Sequence, residues 1–243
     1  MTVVVRAPAK LTVSLRLTGI RHDGYHLIDA EMVTLELADE LTFTEGDSLS
    51  ISGPFGAGLP TDDSNLVRKA LRAVGRQAAV HVTKNIPAQG GLGGGSADAA
   101  AVLRWAGCRD VAIATSIGAD VPFCVVGGRG RVTGIGDIIH PLPHVDRSFT
   151  LIVPPVGVST VAAYKAWDTL GGPHAEGPND LETAALVVEP ALVRWRDRIT
   201  EAAGIRPTMA GSGSTWFLAG HHAELIEALP DAVVVQTRTD RPS

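Results

Sequence analysis

Between Gly90 and Gly95 five of six residues are glycine, and Ser96 with the small residues Ala97, Asp98, Ala99, Ala100 and Ala101 follow directly. Glycine admits positive φ, so successive backbone N–H groups can turn toward one oxygen-rich ligand. A helix built on small residues adds its unpaired N–H groups and the positive end of its dipole. The chemistry this favours is phosphate binding, with Ser96 placed as the helix N-cap. A glycine hinge beside an ordinary helix is the competing reading, and the loop alone does not choose between them. No Gly-Lys-Ser/Thr closes the segment and no acid follows at dinucleotide-binding spacing, so neither common phosphate-loop signature applies.

Other groups must then supply the reaction. Of 21 basic residues only four are lysine, and two of these, Lys10 in PAK and Lys84 just before the glycine loop, are compact ammonium groups suited to phosphate oxygens. Asp120 in GADVP is a candidate carboxylate base or, equally, a helix cap. Gly211, Ser212 and Gly213 in AGSGST form a second glycine-rich turn whose N–H groups could face phosphate. Tyr25 and His26 offer a stacking face and an imidazole, or simply turn packing. Ser159 and Thr160 open an apolar helix and serve as cap or ligand contacts.

Composition removes several alternatives. A net charge of −5 argues against general nucleic-acid binding, which needs a broad basic face. No apolar run reaches membrane-crossing length, and MTVVVRAPAK has no secretory pattern. Cys108 and Cys124 are too few and too far apart for a metal knuckle and read as reduced thiols of a cytoplasmic protein. No carboxylate cluster announces a metal site.

The elements that must position these groups follow from pattern. Residues 3–17 and 31–43 alternate as strands around the turn signal Asp23-Gly24, with further strands at 48–52 and 79–83. Helices are expected from Ser64 to before Gly75, from the glycine loop to near Gly107, and briefly from Pro122. The segment between Trp105 and Asp120 looks too short for a helical excursion. After PLPHVDR, the expected order is a strand, helices 160–170 and 191–203, strand 208–219, helix 223–229 and strand 232–237.

PAKLTVSL, GGLGGGSADAA and MAGSGSTWF, in that order, resemble the three motifs of the GHMP small-molecule kinases. DGYH at 23–26, KNIPAQGGLGGGSADAA at 84–100, GADVPF at 118–123, PPVGVST at 154–160 and NDLE at 179–182 are similar to the branch of that family whose acceptor is 4-diphosphocytidyl-2-C-methyl-D-erythritol. The resemblance implies an α+β, two-lobed kinase, with a ribosomal-protein-like nucleotide-binding domain over 1–143 and a ferredoxin-like domain over 144–243. It further implies ATP as co-substrate, magnesium, and transfer to the 2-hydroxyl of a cytidine diphosphate-linked alcohol in non-mevalonate isoprenoid synthesis. By it, Lys10 and Asp120 are catalytic, and Lys84, Gly91, Leu92, Gly93, Gly94, Gly95 and Ser96 hold the nucleotide, Ser96 also touching magnesium. Thr12, Tyr25, His26, Ser159, Thr160, Gly211, Ser212 and Gly213 contact the acceptor side. Thr12 stands where the family pattern has asparagine, trading an amide for a hydroxyl. Two further readings stand beside this one: a GHMP kinase for another small alcohol, and a nucleotide-binding relative without turnover.

Overall fold

A computed structural model describes residues 1–88 and 90–241. Two long strands, β1 (Val3–Ile20) and β2 (His26–Thr44), form an antiparallel hairpin along most of their length. β2 is long enough to serve two further neighbours. Its C-terminal half pairs with β4 (Ala79–Thr83) and its N-terminal half with β5 (Arg129–Gly134). β3 (Ser48–Ser52) adds to β4 in parallel and β6 (Ile138–Leu142) to β5, completing a six-stranded sheet.

The register of β1 against β2 slips between Pro8 and Lys10 and again between Thr12 and Ser14. Residues two apart on a strand share a face, so Lys10 and Thr12 project together, and the flanking irregularities re-aim that short stretch relative to the rest of the sheet.

Helices α1 (Leu66–Ala73) and α2 (Gly94–Trp105) pack on each other, and α2 lies on β1 and β2. Asn65, not Ser64, caps α1, accepting from the Val67 N–H at 2.8 Å, while the Ser64 hydroxyl turns to Asp62. The alanines of α2 are fully buried, which lets the helix axis lie close to the sheet. The segment expected to lack a helix in fact holds α3 (Val111–Ile117), because Asp110 caps it through the N–H groups of Ala112 and Ile113. α4 (Val121–Val126) follows immediately.

A second sheet, ordered β10-β7-β9-β8, begins after β6 with β7 (Ser148–Val153), whose last five residues are all buried. It includes β8 (Thr208–Met209), β9 (Trp216–Ala219) and β10 (Val233–Arg238), with α5 (Thr160–Thr169), α6 (Glu182–Val188), α7 (Ala191–Ala203) and α8 (Glu224–Ala228). The continuous strand expected over 208–219 is instead a β8–β9 hairpin. Gly211 and Gly213 have φ of +58° and +91°, which extended chain cannot accommodate, and Ala210 closes the turn on Thr215 at 2.9 Å.

The sheets divide the chain near residues 143–147, but the buried side chains do not. Phe149, Leu151 and Phe217 pack into the cluster beneath α2, while Leu15, Leu17, Ile28 and Met32 join Trp195, Trp216 and Leu192 in the other. Asp180 strengthens this seam by accepting from the Leu17 N–H at 3.0 Å and from Arg16 at 2.7 Å.

Candidate active site

The glycine loop leads into α2, yet its N-cap is Gly93, with φ +71°, and Ser96 lies inside the first turn rather than at the cap expected for it. A side chain at the cap position would displace Lys10: a Cβ on Gly93 would stand 2.8 Å from Lys10 Cγ. Gly91, at φ +73°, is pressed from the other side, where a Cβ would meet the Gly213 carbonyl oxygen at 2.7 Å. The two glycine turns identified in the sequence therefore abut, and part of the loop's glycine content serves protein contacts as well as ligand access. Loop, Asn65 and Leu66 surround a cavity of ≈ 270 Å³, whose floor includes Lys84 and Asp98.

Lys84 does not extend a free ammonium toward that cavity. It is 4% exposed and is bound by two carboxylates, Asp39 and, at 2.6 Å, Asp98. Asp39 also accepts from the N–H groups of Asn85 and Ile86 at 2.6 and 2.8 Å, fixing the chain as it enters the loop. Burial, with the nearby charge of Asp39 and against the opposing pull of Lys84, pushes Asp98 up to about 7. Lys84 thus braces the cradle from beneath, its charge already compensated.

Lys10 is differently placed. Its side chain is 7% exposed and its ammonium lies 3.1 Å from Asp120 and 3.2 Å from the Thr12 hydroxyl. Its backbone N–H donates to Leu92 in the loop at 3.0 Å, tying the strand to the cradle. Asp120 occupies the position before α4 but makes no capping hydrogen bond; its carboxylate turns to Lys10 and remains about one third exposed. The capping role that its sequence context allowed is not taken up. Gly211 closes the opposite side, with its hypothetical Cβ 3.5 Å from the Thr12 hydroxyl and 4.0 Å from Lys10 Nζ. Lys10, Thr12, Asp120, Leu92, Gly93 and Gly211 therefore converge around a partly open ion pair.

Ser159 caps α5, accepting from the Ala162 N–H at 3.3 Å, and the Thr160 hydroxyl meets Ser212 at 2.9 Å, joining α5 to the second glycine turn. His26 Nε2 contacts Asp168 at 2.7 Å, and its ring lies 4.8 Å from that of Tyr164. Tyr25 is exposed, with the Arg21 guanidinium 5.4 Å from its ring centroid.

The pattern of the GHMP kinases N terminal domain matches residues 65–128, a span holding the cradle, α2 and Asp120. A 4-diphosphocytidyl-2-C-methyl-D-erythritol kinase from Paracoccus denitrificans (strain Pd 1222) is 39% identical over an alignment of 231 positions, covering 87% of this chain and 84% of the relative. The chain belongs to the 4-diphosphocytidyl-2-C-methyl-D-erythritol kinase family. A second relative of that name, from Paramagnetospirillum magneticum (strain ATCC 700264 / AMB-1), is 34% identical over 275 positions, covering 98% of this chain and 95% of its own. Since 275 aligned positions exceed this chain's 243 residues, that relative carries stretches which this member of the family omits. A crystal structure of 4-(cytidine 5'-diphospho)-2C-methyl-D-erythritol kinase superposes with a TM-score of 0.73 at 30% identity, covering 99% of this chain and 100% of that one. A homoserine kinase from Cytophaga hutchinsonii, at 17% identity and a TM-score of 0.64, shares the two-sheet α+β fold over 99% of this chain and 95% of its own.

Several residues that build the site in this family member escaped sequence reading. Tyr164 packs against His26, and burial first, then the charge of Asp120, pushes its hydroxyl up to about 12. Its signal was only an aromatic one turn after Thr160. Asn179 is buried and donates to Met209 and Gly211 at 2.8 and 2.7 Å, holding the second glycine turn in place. Asp39 was concealed as one polar residue in a long strand. Among the described residues no three acidic, histidine or cysteine side chains gather as a metal cage.

Proposed function

We propose that this chain transfers the γ-phosphoryl group of ATP to the 2-hydroxyl of 4-diphosphocytidyl-2-C-methyl-D-erythritol, a step of non-mevalonate isoprenoid precursor synthesis. The observation that carries this reading is the Lys10–Asp120 pair at 3.1 Å, partly open and bordered by both glycine turns. The chain acts as two lobes, 1–143 receiving the nucleotide and 144–243 closing the acceptor side.

The acceptor hydroxyl oxygen attacks the γ-phosphorus, the bond from that phosphorus to the β,γ-bridging oxygen breaks, and ADP leaves. The hydroxyl proton passes to the Asp120 carboxylate, which Lys10 orients. Lys10 also lies where charge develops on the transferring group. Alignment and charge compensation of this kind supply most of the catalysis in phosphoryl transfer. N–H groups from Gly91 to Ser96 hold the nucleotide phosphates, with Lys84 fixing the loop from below. Magnesium, when bound, would neutralise phosphate charge, with the Ser96 hydroxyl in the first turn of α2 as the side chain that would touch it.

Tyr25 and His26 receive the cytosine end, and Asp168 fixes the His26 ring. Thr12, Ser159, Thr160, Gly211, Ser212 and Gly213 border the erythritol end. The Thr12 hydroxyl is occupied by Lys10, so it acts through that ammonium as well as on the acceptor.

The test is ADP release from ATP and magnesium with and without the acceptor, with the product identified by mass and its phosphate located by NMR. Acceptor-dependent release with phosphate on the 2-hydroxyl is expected. ATP binding without acceptor-dependent turnover would overturn the assignment.

A further inference from the structure

A second cavity, of ≈ 590 Å³, shares no lining residue with the nucleotide cavity. It opens where the start of β1, the last turn of α2, α3 and α4 meet. Arg104 lies ten residues beyond the start of α2, which sets it about 15 Å along the helix from the cradle.

The charge of this cavity is one-sided. Arg6, Arg104, Arg109 and Arg241 line it against two aspartates, Asp110 and Asp240. Both aspartates are engaged: Asp240 pairs with Arg6 at 3.1 Å and Asp110 caps α3. Arg241 reaches Asp146 only at 3.5 Å. Arg109 is exposed and has no hydrogen-bond or ion-pair partner among the described residues.

Arg104 is the more telling case. Its guanidinium donates to the carbonyls of Cys124 and Arg6 at 2.6 and 2.8 Å, which uses two of its five N–H groups, and among the described residues no carboxylate pairs with it. Burial accordingly disfavours its charged form, drawing its pKa down. A substantially buried cation is normally paired with an anion, and here none of the described residues supplies it. The remaining wall is apolar, with Val4, Pro8, Ala114, Pro122 and Val125.

We propose that this cavity is a binding site for a small organic phosphate, a phosphate monoester dianion bearing a short aliphatic group. Arg104 and Arg109 take the phosphate, since guanidinium geometry matches phosphate oxygens, and the aliphatic group lies on the valine and proline wall. The proposal is independent of the phosphoryl-transfer reading, because it uses none of that site's residues.

The test is calorimetric titration of the full chain with n-butyl phosphate, with the cradle first saturated by magnesium and a non-hydrolysable ATP analogue. Inorganic phosphate and butanol are run alongside. Saturable binding of butyl phosphate, tighter than either fragment, is expected, weakening about tenfold in Arg109→Ala and in Arg104→Ala. Arg109 is exposed and unpaired, so its variant reads the site even where Arg104→Ala fails to fold. No saturable binding at millimolar concentration, binding unchanged in Arg109→Ala, or binding of inorganic phosphate as tight as that of the ester would each overturn the proposal.

Discussion

Replacing Gly93 by alanine separates the cradle's protein contacts from its glycine composition. At φ +71° an L-residue costs about 1–2 kcal/mol in the left-handed region, which for a chain of this size lowers Tm by about 2–8 °C. The larger effect is local. The new Cβ would lie 2.8 Å from Lys10 Cγ and 3.2 Å from Cε, and restoring an ordinary 3.4 Å contact moves the Cγ by about 0.6 Å. The Lys10 backbone is tied to Leu92 at 3.0 Å, so the side chain takes up the displacement and Nζ moves relative to Asp120 and Thr12. A misplacement on the order of 1 Å among reacting groups costs about 100-fold, so kcat/KM is expected to fall by about 10- to 100-fold. Gly95→Ala is the control in the same loop. Its Cβ would meet only Leu66 Cδ1, at 3.6 Å, and its backbone is already helical. That variant leaves Lys10 undisturbed, so any loss falls on the KM for ATP rather than on kcat, and it is stabilised slightly by the better helix propensity. Steady-state phosphorylation and thermal unfolding of the two variants decide the matter. Gly93→Ala remaining within threefold of wild type while folded would refute the placement of Lys10 as the group the cradle was shaped around.

Asp120→Asn is expected to reduce turnover by about 100-fold or more while nucleotide affinity, set at the cradle, changes little; retained turnover removes Asp120 as the base. Lys84→Met leaves Asp39 and Asp98 buried without a cation and should destabilise folding by about 3–5 kcal/mol, read from urea midpoints, with Asp98→Asn added to it recovering part of the loss. Asp98, pushed up to about 7 in the fold, retains a proton that the unfolded chain has already lost above about pH 4. Its contribution to stability therefore falls as pH rises from about 4 to 7, so Asp98→Asn gains on wild type across that range; parallel stability curves would contradict it. Asp168→Ala releases the His26 ring and should raise the acceptor KM by about tenfold with kcat nearly unchanged; an unchanged KM would show that His26 needs no such support.

The sequence reading succeeded where local chemistry decides. β3, β4 and α7 have the ends expected of them, since Gly, Pro or a change of period bounds each one. It failed where a distant group decides. Ser96 is a better isolated cap than glycine, but the stem of Lys10, some 83 positions earlier, would be displaced by a side chain at the cap. Lys84 looked like a free phosphate ligand because nothing local shows that Asp39, 45 residues before it, holds the ammonium. The stretch before Asp120 is short, yet seven residues with an aspartate cap suffice for α3. The strand expected at 208–219 contained its own contradiction in Gly211 and Gly213, and what those residues meet, Thr12 and Met209, again lies elsewhere in sequence or across the hairpin.

These failures share a cause that bears on how the site works. Apart from α3, each misread residue lies where the two glycine turns, the Lys10 strand and the Asp39–Lys84–Asp98 triad press together. Gly91 against Gly213 and Gly211 against Thr12 join the halves of the chain at that point, and the two core clusters each draw on both sheets. The Lys10–Asp120 pair therefore belongs to the first half of the chain, and the second half borders it directly. Lys10 comes from β1, Asp120 from the start of α4, and the turn beside them from the β8–β9 hairpin, held by Asn179. A substitution that loosens the Asn179 contacts, remote from any phosphate, should consequently move the second glycine turn relative to Lys10 and reach the chemistry through packing alone.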